Sequence, residues 1–501
     1  MSEKVKKGFK MPSSYSILML IIAFMAVMTW VIPAGQYEKD EAGKFITGTY
    51  QAVAQNPQGI WDILMAPVRA MLGHGDTSKA IDVAFFILMV GSFLGVVNET
   101  GALDVGIASI VKRFKGREKM LIYILMPLFA LGGSTYGMGE ETMAFFPLLV
   151  PVMMAVGFDS ITGVAIILLG SQIGCLASTV NPFATGVASD AAGVSLADGM
   201  IWRIIFFIVI LGLGVWFVAN YAEKVKNDPT KSLVYKQREA DMAHFNVNTS
   251  SEEVNAVLTP AQKRVLWVFV LTFVVMICSF IPWEDLGVSV FADFNTWLLG
   301  LPGIGQVIGS SAYPFGWWYF PEGAMLFAFA GVLVGIVYGM DEARLVKAFM
   351  NGAADLLSVA LICAVARGIQ VIMNDGMITA TILHWGEVGL QGLSSQVFII
   401  LTYLFYLPMS FLIPSTSGLA GASMGIMAPL GEFVNVPAHL IITAFQAASG
   451  VLNLVAPTSG IVMGALALGR VEIGTWYKFV GKLIAAIVLA SIAILVIATF
   501  F

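Results

Sequence analysis

The sequence predicts an all-α polytopic membrane protein in which one unit occurs twice, the second time inverted. Three observations carry that expectation. Apolar runs near the roughly 20 residues that a spanning helix needs recur along the chain. Two short apolar segments are interrupted by small polar residues, Gly133-Ser134-Thr135-Tyr136-Gly137 and Pro414-Ser415-Thr416-Ser417-Gly418. Each precedes a helix broken at a polar patch, first Ser178-Thr179-Val180-Asn181-Pro182-Phe183-Ala184-Thr185-Gly186, then Asn453-Leu454-Val455-Ala456-Pro457-Thr458-Ser459-Gly460. Of the 501 residues, 58% are hydrophobic and 12% charged, with mean hydropathy +0.84. A soluble domain could not cover so much apolar surface.

The first run, Tyr15 to Val31, follows Lys4, Lys6, Lys7 and Lys10. It is long for the core of a cleaved signal peptide and reads as a signal anchor. Further spans are expected at about 79–98, 160–196 (broken), 199–220, 265–282, 321–339, 353–373, 438–469 (broken) and 483–500. Segments 119–157 and 395–436 read as re-entrant hairpins, because their apolar arms of roughly 15 residues fall short of a crossing. A polar tip separates the arms. Arm length argues more weakly for the second hairpin, and a tilted pair of full spans is the alternative.

Orientation follows from charge. Inner segments 1–13, 100–119, 221–264, 340–352 and 470–482 hold 21 of the 27 Lys and Arg residues. The outer segments hold Lys39, Lys44 and Arg69, with Lys79 at a boundary. That asymmetry puts the N-terminus in the cytoplasm and the C-terminus outside a cell membrane. Trp317, Trp318 and Tyr319 are expected as headgroup anchors in contact with lipid.

Gly101 and Gly376 are 275 residues apart, as are Pro182 and Pro457, while tip residues Ser134 and Ser415 are 281 apart. The chain thus divides into 1–78, a first copy at 79–220, a polar inner linker at 221–264, a segment 265–353 and a second copy at 354–501. The first copy starts outside and the second inside, so the two are inverted about an axis in the membrane plane.

Non-helical backbone cannot face lipid, so polar breaks at mid-depth line a cavity or are buried in protein. Helix ends exposed at hairpin tips hold ions or charged substrate groups through their partial charges. Ser134, Thr135, Tyr136, Gly137, Ser178, Thr179, Asn181, Thr185, Ser415, Thr416, Ser417, Gly418, Asn453, Thr458 and Ser459 are the candidate site residues. A lone Ser or Thr would more simply pack between helices. Four coincident patches in two copies favour a transport site.

The tips differ in charge. The first continues Gly137-Met138-Gly139-Glu140-Glu141-Thr142, the second Leu419-Ala420-Gly421-Ala422-Ser423. Two carboxylates at membrane depth with no neighbouring base in sequence are costly and point to function. Glu140 and Glu141 would attract a cation, bind Na⁺ or carry a proton, although Glu141 would also suit the first turn of a returning helix. A negatively charged pocket fits an amino acid with a cationic side chain better than a dicarboxylate.

Arg367 reads as a structural ion pair with a carboxylate such as Asp355, or as a partner for a substrate carboxylate. Asp82, Glu99 and Asp375 lie near span ends, where water reaches them. His74, His384 and His439 lie near loops without metal spacing, and Cys175, Cys278 and Cys363 read as packing residues. No nucleotide-binding loop is present in the sequence, which disfavours ATP-driven transport. No cofactor, metal, catalytic residue or nucleic-acid partner is expected.

Gly8-Phe9-Lys10-Met11-Pro12, Val31-Ile32-Pro33-Ala34-Gly35-Gln36-Tyr37, Gly133 to Met138 and Ser178 to Pro182 resemble the YfcC family across the whole chain. That group belongs to a broad ion-transporter superfamily and is similar to anaerobic C4-dicarboxylate carriers. Within it, the chain resembles the arginine–ornithine antiporters of arginine-fermenting Gram-positive bacteria. The resemblance implies a homodimer with a scaffold and a transport domain moving as an elevator. It also implies that Ser134, Thr135, Asn181, Ser415, Thr416 and Asn453 lie near substrate or ion. The second break has Val455-Ala456-Pro457 where the first has Val180-Asn181-Pro182, a departure from a symmetric pair of ion sites. The expected activity is exchange of arginine for ornithine by alternating access. The alternative is Na⁺- or H⁺-coupled carriage of C4-dicarboxylates or small peptides.

Overall fold

The apolar runs fold into helices packed as two sets with the same order and the same partners. The computed structural model describes residues 14–38, 46, 48–75, 77, 79–103, 105–106, 116–195, 197–245, 247, 258–281, 283–284, 287–309, 311–390 and 392–501. Lys4, Lys6, Lys7, Lys10, the Gly8–Pro12 motif, Lys39, Lys44 and linker residues 248–257 lie outside them. So do the side chains of Tyr136, Glu141 and Cys363.

Helix α1 (Ser14–Val31) leads through a two-stranded antiparallel ribbon, β1 (Gly35–Gln36) and β2 (Gln51–Ala52), to α2 (Ile60–Leu72) and α3 (Ile81–Glu99). The first set continues with α4 (Lys119–Tyr136), a 3₁₀ turn (Glu140–Phe145), α5 (Phe146–Ala155), α6 (Ser160–Leu176), a π turn (Pro182–Gly186), α7 (Val187–Ala192) and α8 (Met200–Asn227). After α9 (Arg238–His244) come α10 (Pro260–Phe280), α11 (Val290–Gly300), α12 (Ile304–Ile308) and α13 (Phe320–Tyr338). Then follow α14 (Glu342–Asp375), α15 (Ile378–Gly389), α16 (Ser395–Leu412), α17 (Thr416–Phe433), α18 (Ala438–Leu452), α19 (Gly460–Leu468) and α20 (Ile473–Ala498).

Among the described residues, seven helices, α3, α8, α10, α13, α14, α16 and α20, are long and apolar enough to cross a membrane. Helices α1, α4, α6 and α18 are shorter apolar helices. At 18 residues α16 reaches spanning length, so arm length does not favour re-entry at the second hairpin. The first hairpin has a split returning arm, a 3₁₀ turn followed by the ten-residue α5.

Contacts repeat between the sets. In the first, α4 and α5 pack on α6, and α8 packs on both α4 and α6. In the second, α16 and α17 pack on α18, and α20 packs on both α16 and α18. Across the sets, α3 packs on α14, α6 on α18 and α8 on α20. Helices α3 and α14 cross where Gly91 and Gly352 meet. A Cβ on Gly352 would lie 2.1 Å from the Gly91 carbonyl oxygen, so the backbones approach closely as small residues allow between membrane helices. Outside this pair, α13 and α10 lie on the α3 side, and α1 and α2 on the α14 side.

The sequence placed 34–78 wholly outside, without a helix. Helix α2 arises there because its Ala66 and Ala70 bury against α14 while Trp61, Leu64, Val68 and Leu72 form an exposed apolar stripe suited to lipid. Arg69 fixes it, pairing with Asp62 at 3.2 Å and with Asp375 of α14 at 3.0 Å. His74 approaches the same Asp375 at 3.1 Å. The ribbon is held through Tyr37, whose hydroxyl donates to Glu387 at 2.7 Å. Burial first, then that carboxylate, pushes the Tyr37 hydroxyl above its ordinary range, so it stays a donor.

The linker after α8 folds back on both sets. Buried Asp159, between α5 and α6, accepts from Ser232 Oγ and the Tyr221 hydroxyl, each at 2.6 Å. Asp241 of α9, 1% exposed, pairs with Arg470 Nε at 3.1 Å and accepts from Ser160 and Gln237. Arg470 is 40% exposed and water can solvate it without its partner, whereas Asp241 cannot be solvated. Arg470→Ala should therefore destabilise by about 2 kcal/mol, toward the low side of the range for a broken buried pair once exposure is discounted. Asp241→Ala should cost clearly less. Thermal unfolding of both variants in detergent checks the order.

Candidate functional site

At the first tip, α4 ends at Gly137, whose φ of 78° is left-handed and suits glycine. The tip is stitched to the break beyond α6. The Ser134 carbonyl accepts from Thr179 N at 3.0 Å and Val180 N at 3.2 Å, and Ser134 Oγ donates to the Ala177 carbonyl at 3.1 Å. Asn181 Oδ1 accepts from Phe183 N at 2.9 Å and Ala184 N at 3.3 Å, while its Nδ2 donates to Ser178 Oγ at 3.1 Å. Ser178 donates to the Cys175 carbonyl and Thr135 to the Leu131 carbonyl, each at 2.7 Å. Much of the polarity in the first motif thus serves backbone groups that a broken helix leaves unpaired.

The second tip is arranged differently. Ser415 caps α17, its Oγ accepting from Gly418 N at 3.2 Å, and Ser459 caps α19, accepting from Val462 N at 3.5 Å. Asn453 Nδ2 donates to Thr416 Oγ1 at 3.4 Å, and Thr416 lies as far from Ser449 Oγ. Thr458 is fully buried, and its hydroxyl has no hydrogen-bond partner among the described residues. Gln446 of α18 ties the second set to the first break, accepting from Thr185 Oγ1 at 2.9 Å and donating to the Ser178 carbonyl at 3.0 Å.

Between these elements lies a cavity of about 320 Å³, at the small-metabolite end of the range of roughly 300–1,000 Å³ for ligand pockets. The first tip and break contribute Gly137, Glu140 and Asn181, and the second tip contributes Ser415, Thr416 and Ser417. Asn453 and Thr458 line it from the second break. Ser134, Thr135, Ser178, Thr179, Thr185, Gly418 and Ser459 stand behind this surface and do not line it. Of the acidic pair, half-buried Glu140 lines the cavity; the Glu141 side chain is outside the described residues.

Sequence reading missed Gln172 and Ser449, which line the cavity, and Gln446, which lines it and ties α18 to the first break. The signal for the two glutamines was their place on otherwise apolar helices, each upstream of a break. The acidic-pocket expectation needs correction, because Lys79 and Arg367 also line the cavity, as does Asp82. Both bases are distant from Glu140 in sequence and arrive through helix packing. Arg367 donates to the Lys79 carbonyl at 2.8 Å instead of pairing with Asp355 as expected. Lys79 pairs with Asp82 at 3.3 Å. The cavity thus presents both signs of charge.

Residues 11–500 match the family described as C4-dicarboxylate anaerobic carrier. The chain belongs to that family. The chain's resemblance to the YfcC group, read from residues 8–12, 31–37, 133–138 and 178–182, is matched by a relative. A putative basic amino acid antiporter, YfcC, of Escherichia coli K12 is 26% identical over 98% of this chain and 97% of that protein. An uncharacterised protein of Haemophilus influenzae is 30% identical over 99% of this chain and 98% of its own length. Two solved structures align over nearly their whole lengths at 16% identity. MtrF of Neisseria gonorrhoeae, described among antimetabolite efflux pumps, covers 98% of this chain and 96% of its own at TM-score 0.44. The YdaH transporter of Alcanivorax borkumensis covers 97% and 98% at TM-score 0.45. This carrier-family chain is a multi-pass secondary membrane transporter.

Cys175 lines the cavity and is partly accessible, whereas Cys278 lies in α10, away from it. In a Cys278→Ser, Cys363→Ser background, a small thiol reagent should inactivate transport through Cys175. Saturating substrate should slow that labelling several-fold, read by mass spectrometry.

Proposed function

We propose that this carrier exchanges arginine for ornithine across the cell membrane by alternating access at the central cavity. One observation supports the reading most: Glu140 lies on one wall and the capped N-terminus of α17, Ser415 to Ser417, on another. A carboxylate suits the cationic side chain. A helix N-terminus with hydroxyls suits the shared α-carboxylate. Arginine and ornithine carry like net charge, so the exchange is electroneutral and needs no ion gradient. Gln172, Asn181, Gln446 and Asn453 provide neutral polar surface between these ends.

In this reading the two sets of helices are inverted repeats, with 119–157 and 395–436 as re-entrant hairpins. The matching contact pattern, with three helix pairs joining equivalent elements, supports a two-fold relation. Helices α1–α3 and α10–α14 form the scaffold of a homodimer. The hairpins and broken helices move against it as an elevator, with the N-terminus inside and the C-terminus outside.

Na⁺- or H⁺-coupled carriage of C4-dicarboxylates is the second reading. It is favoured by the family's description and by the basic residues at the cavity. Proteoliposomes loaded with ornithine separate the two. Exchange predicts uptake of labelled arginine without any ion gradient, and none into empty vesicles. Uptake of succinate only under a Na⁺ or H⁺ gradient would replace this reading with the coupled one. The double variant Ser415→Ala, Thr416→Ala should cut uptake about tenfold, as expected for losing hydrogen bonds to a charged group. Its membrane abundance should hold. Equal losses of uptake and abundance would mark the tip as merely structural.

A further inference from the structure

The scaffold wall of the cavity carries its charge at one end. Lys79 and Asp82 stand at the start of α3, and Phe320 begins α13. Arg367 lies about two turns before the end of α14. The Lys and Arg distribution places all three helix ends on the outer side. The cavity therefore meets the scaffold in its outer half, as it would in an outward-facing transporter. Behind it, Asp375 holds both Arg69 and His74, which steadies the segment between α2 and α3.

The spacing of 275 residues between Gly101 and Gly376, and between Pro182 and Pro457, locates the inner counterparts of this wall. Lys79 corresponds to Ala354, Asp82 to Leu357 and Arg367 to Ser92. None is charged. Ser92 is fully buried, with its hydroxyl donating to the Leu88 carbonyl at 3.0 Å. The adjacent carboxylate is Asp355, one position from Ala354, and it would repel an anion. The two ends of the wall match in position and differ in charge.

We propose that Arg367, seated on the Lys79 carbonyl and flanked by the Lys79–Asp82 pair, is a specificity residue of the outward-facing state alone. It receives the carboxylate of a substrate arriving from outside. The inward-facing state offers no equivalent. A guanidinium suits this role because its fork matches a carboxylate in two parallel hydrogen bonds. The ligand class is a carboxylate-bearing solute, which both amino acids and dicarboxylates satisfy. The inference rests on the inverted-repeat transport reading. It adds that outer and inner affinities depend on different scaffold residues.

The test is sided exchange in proteoliposomes of uniform orientation. Labelled arginine against ornithine is the first probe and labelled succinate the second; whichever the wild type moves is used. Arg367→Gln should raise the outer KM about tenfold and leave the inner KM within twofold. Arg367→Lys should recover part of the outer affinity, and thermal unfolding of both variants should stay near wild type. An equal rise on both faces, or none on either, would overturn the proposal. So would a rise outside matched by a fall inside, because that marks a shift between the two states rather than a lost contact. If the wild type moves neither probe, the transport reading fails together with this inference. If the wild type exchanges and the variant's defect is not sided, only this inference fails.

Discussion

Glu140→Gln should abolish arginine–ornithine exchange while leaving the protein folded and in the membrane. The substitution keeps size, removes the charge and replaces one acceptor oxygen with an NH₂ donor, which cannot receive a cation. A hydrogen bond to a charged group contributes roughly 1.5–3 kcal/mol, and the upper figure corresponds to about 100-fold in transport efficiency. Glu140 is half-buried at the cavity wall, so water screens it only partly. Initial exchange rates over a range of arginine concentrations, with abundance measured in parallel, check this outcome. Unchanged exchange would remove Glu140 from the substrate site. Loss of coupling to a Na⁺ or H⁺ gradient, with dicarboxylate binding intact, would make it an ion ligand.

The second large effect is expected from Gly450→Ala. Gly450 lines the cavity on α18, where that helix crosses α6. An added Cβ would stand 2.4 Å from Leu176 Cα and 2.8 Å from its backbone nitrogen. Backbone cannot swing aside as a side chain does, so the two helices must separate. Overpacking of this kind costs about 1–3 kcal/mol, occasionally more. The site should suffer further, because Leu176 immediately precedes the first break and Asn453 lies one turn beyond Gly450. Exchange should fall at least tenfold, with a lowered unfolding temperature in detergent. Gly481→Ala is the matched control. Nothing lies within 4 Å of a Cβ there, so stability and exchange should both stay near wild type.

Local pattern in the sequence was enough to read the long helices. The runs read at about 79–98 and 321–339 coincide with α3 and α13, and the interruptions at Gly137 and Asn453 fall where helices end. Helix α20 instead starts at Ile473, ten residues before the run read at 483–500, because the inner segment holding Lys478 and Lys482 continues the helix. Helix α2 was hidden because Asp62, Pro67 and Arg69 punctuate a stretch of only 13 residues. Its reason to be helical lies elsewhere, in the α14 surface that buries Ala66 and Ala70. The cavity shows the same division. Glu140 and the tip serines were legible as polar residues in apolar surroundings. Lys79 and Arg367 were not legible as their neighbours, because 61 and 227 residues of chain separate them from Glu140. The packing of α14 on α3, and of α3 and α19 on the 3₁₀ turn, brings these charges to one cavity. Residues such as Ser134 and Ser178 looked like ligand contacts and instead bond the backbone of the break. A broken helix must first satisfy its own exposed N–H and C=O groups, and nearby hydroxyls serve that need.

An electron cryomicroscopy structure of the purified carrier with saturating arginine in lipid nanodiscs, without Na⁺, tests the central claim most directly. The account predicts density for one amino acid in the central cavity, its side-chain cation at Glu140 and its carboxylate at Ser415 to Ser417. Arginine bound elsewhere would contradict it. So would a cavity that stays empty with arginine and fills only with a dicarboxylate and Na⁺.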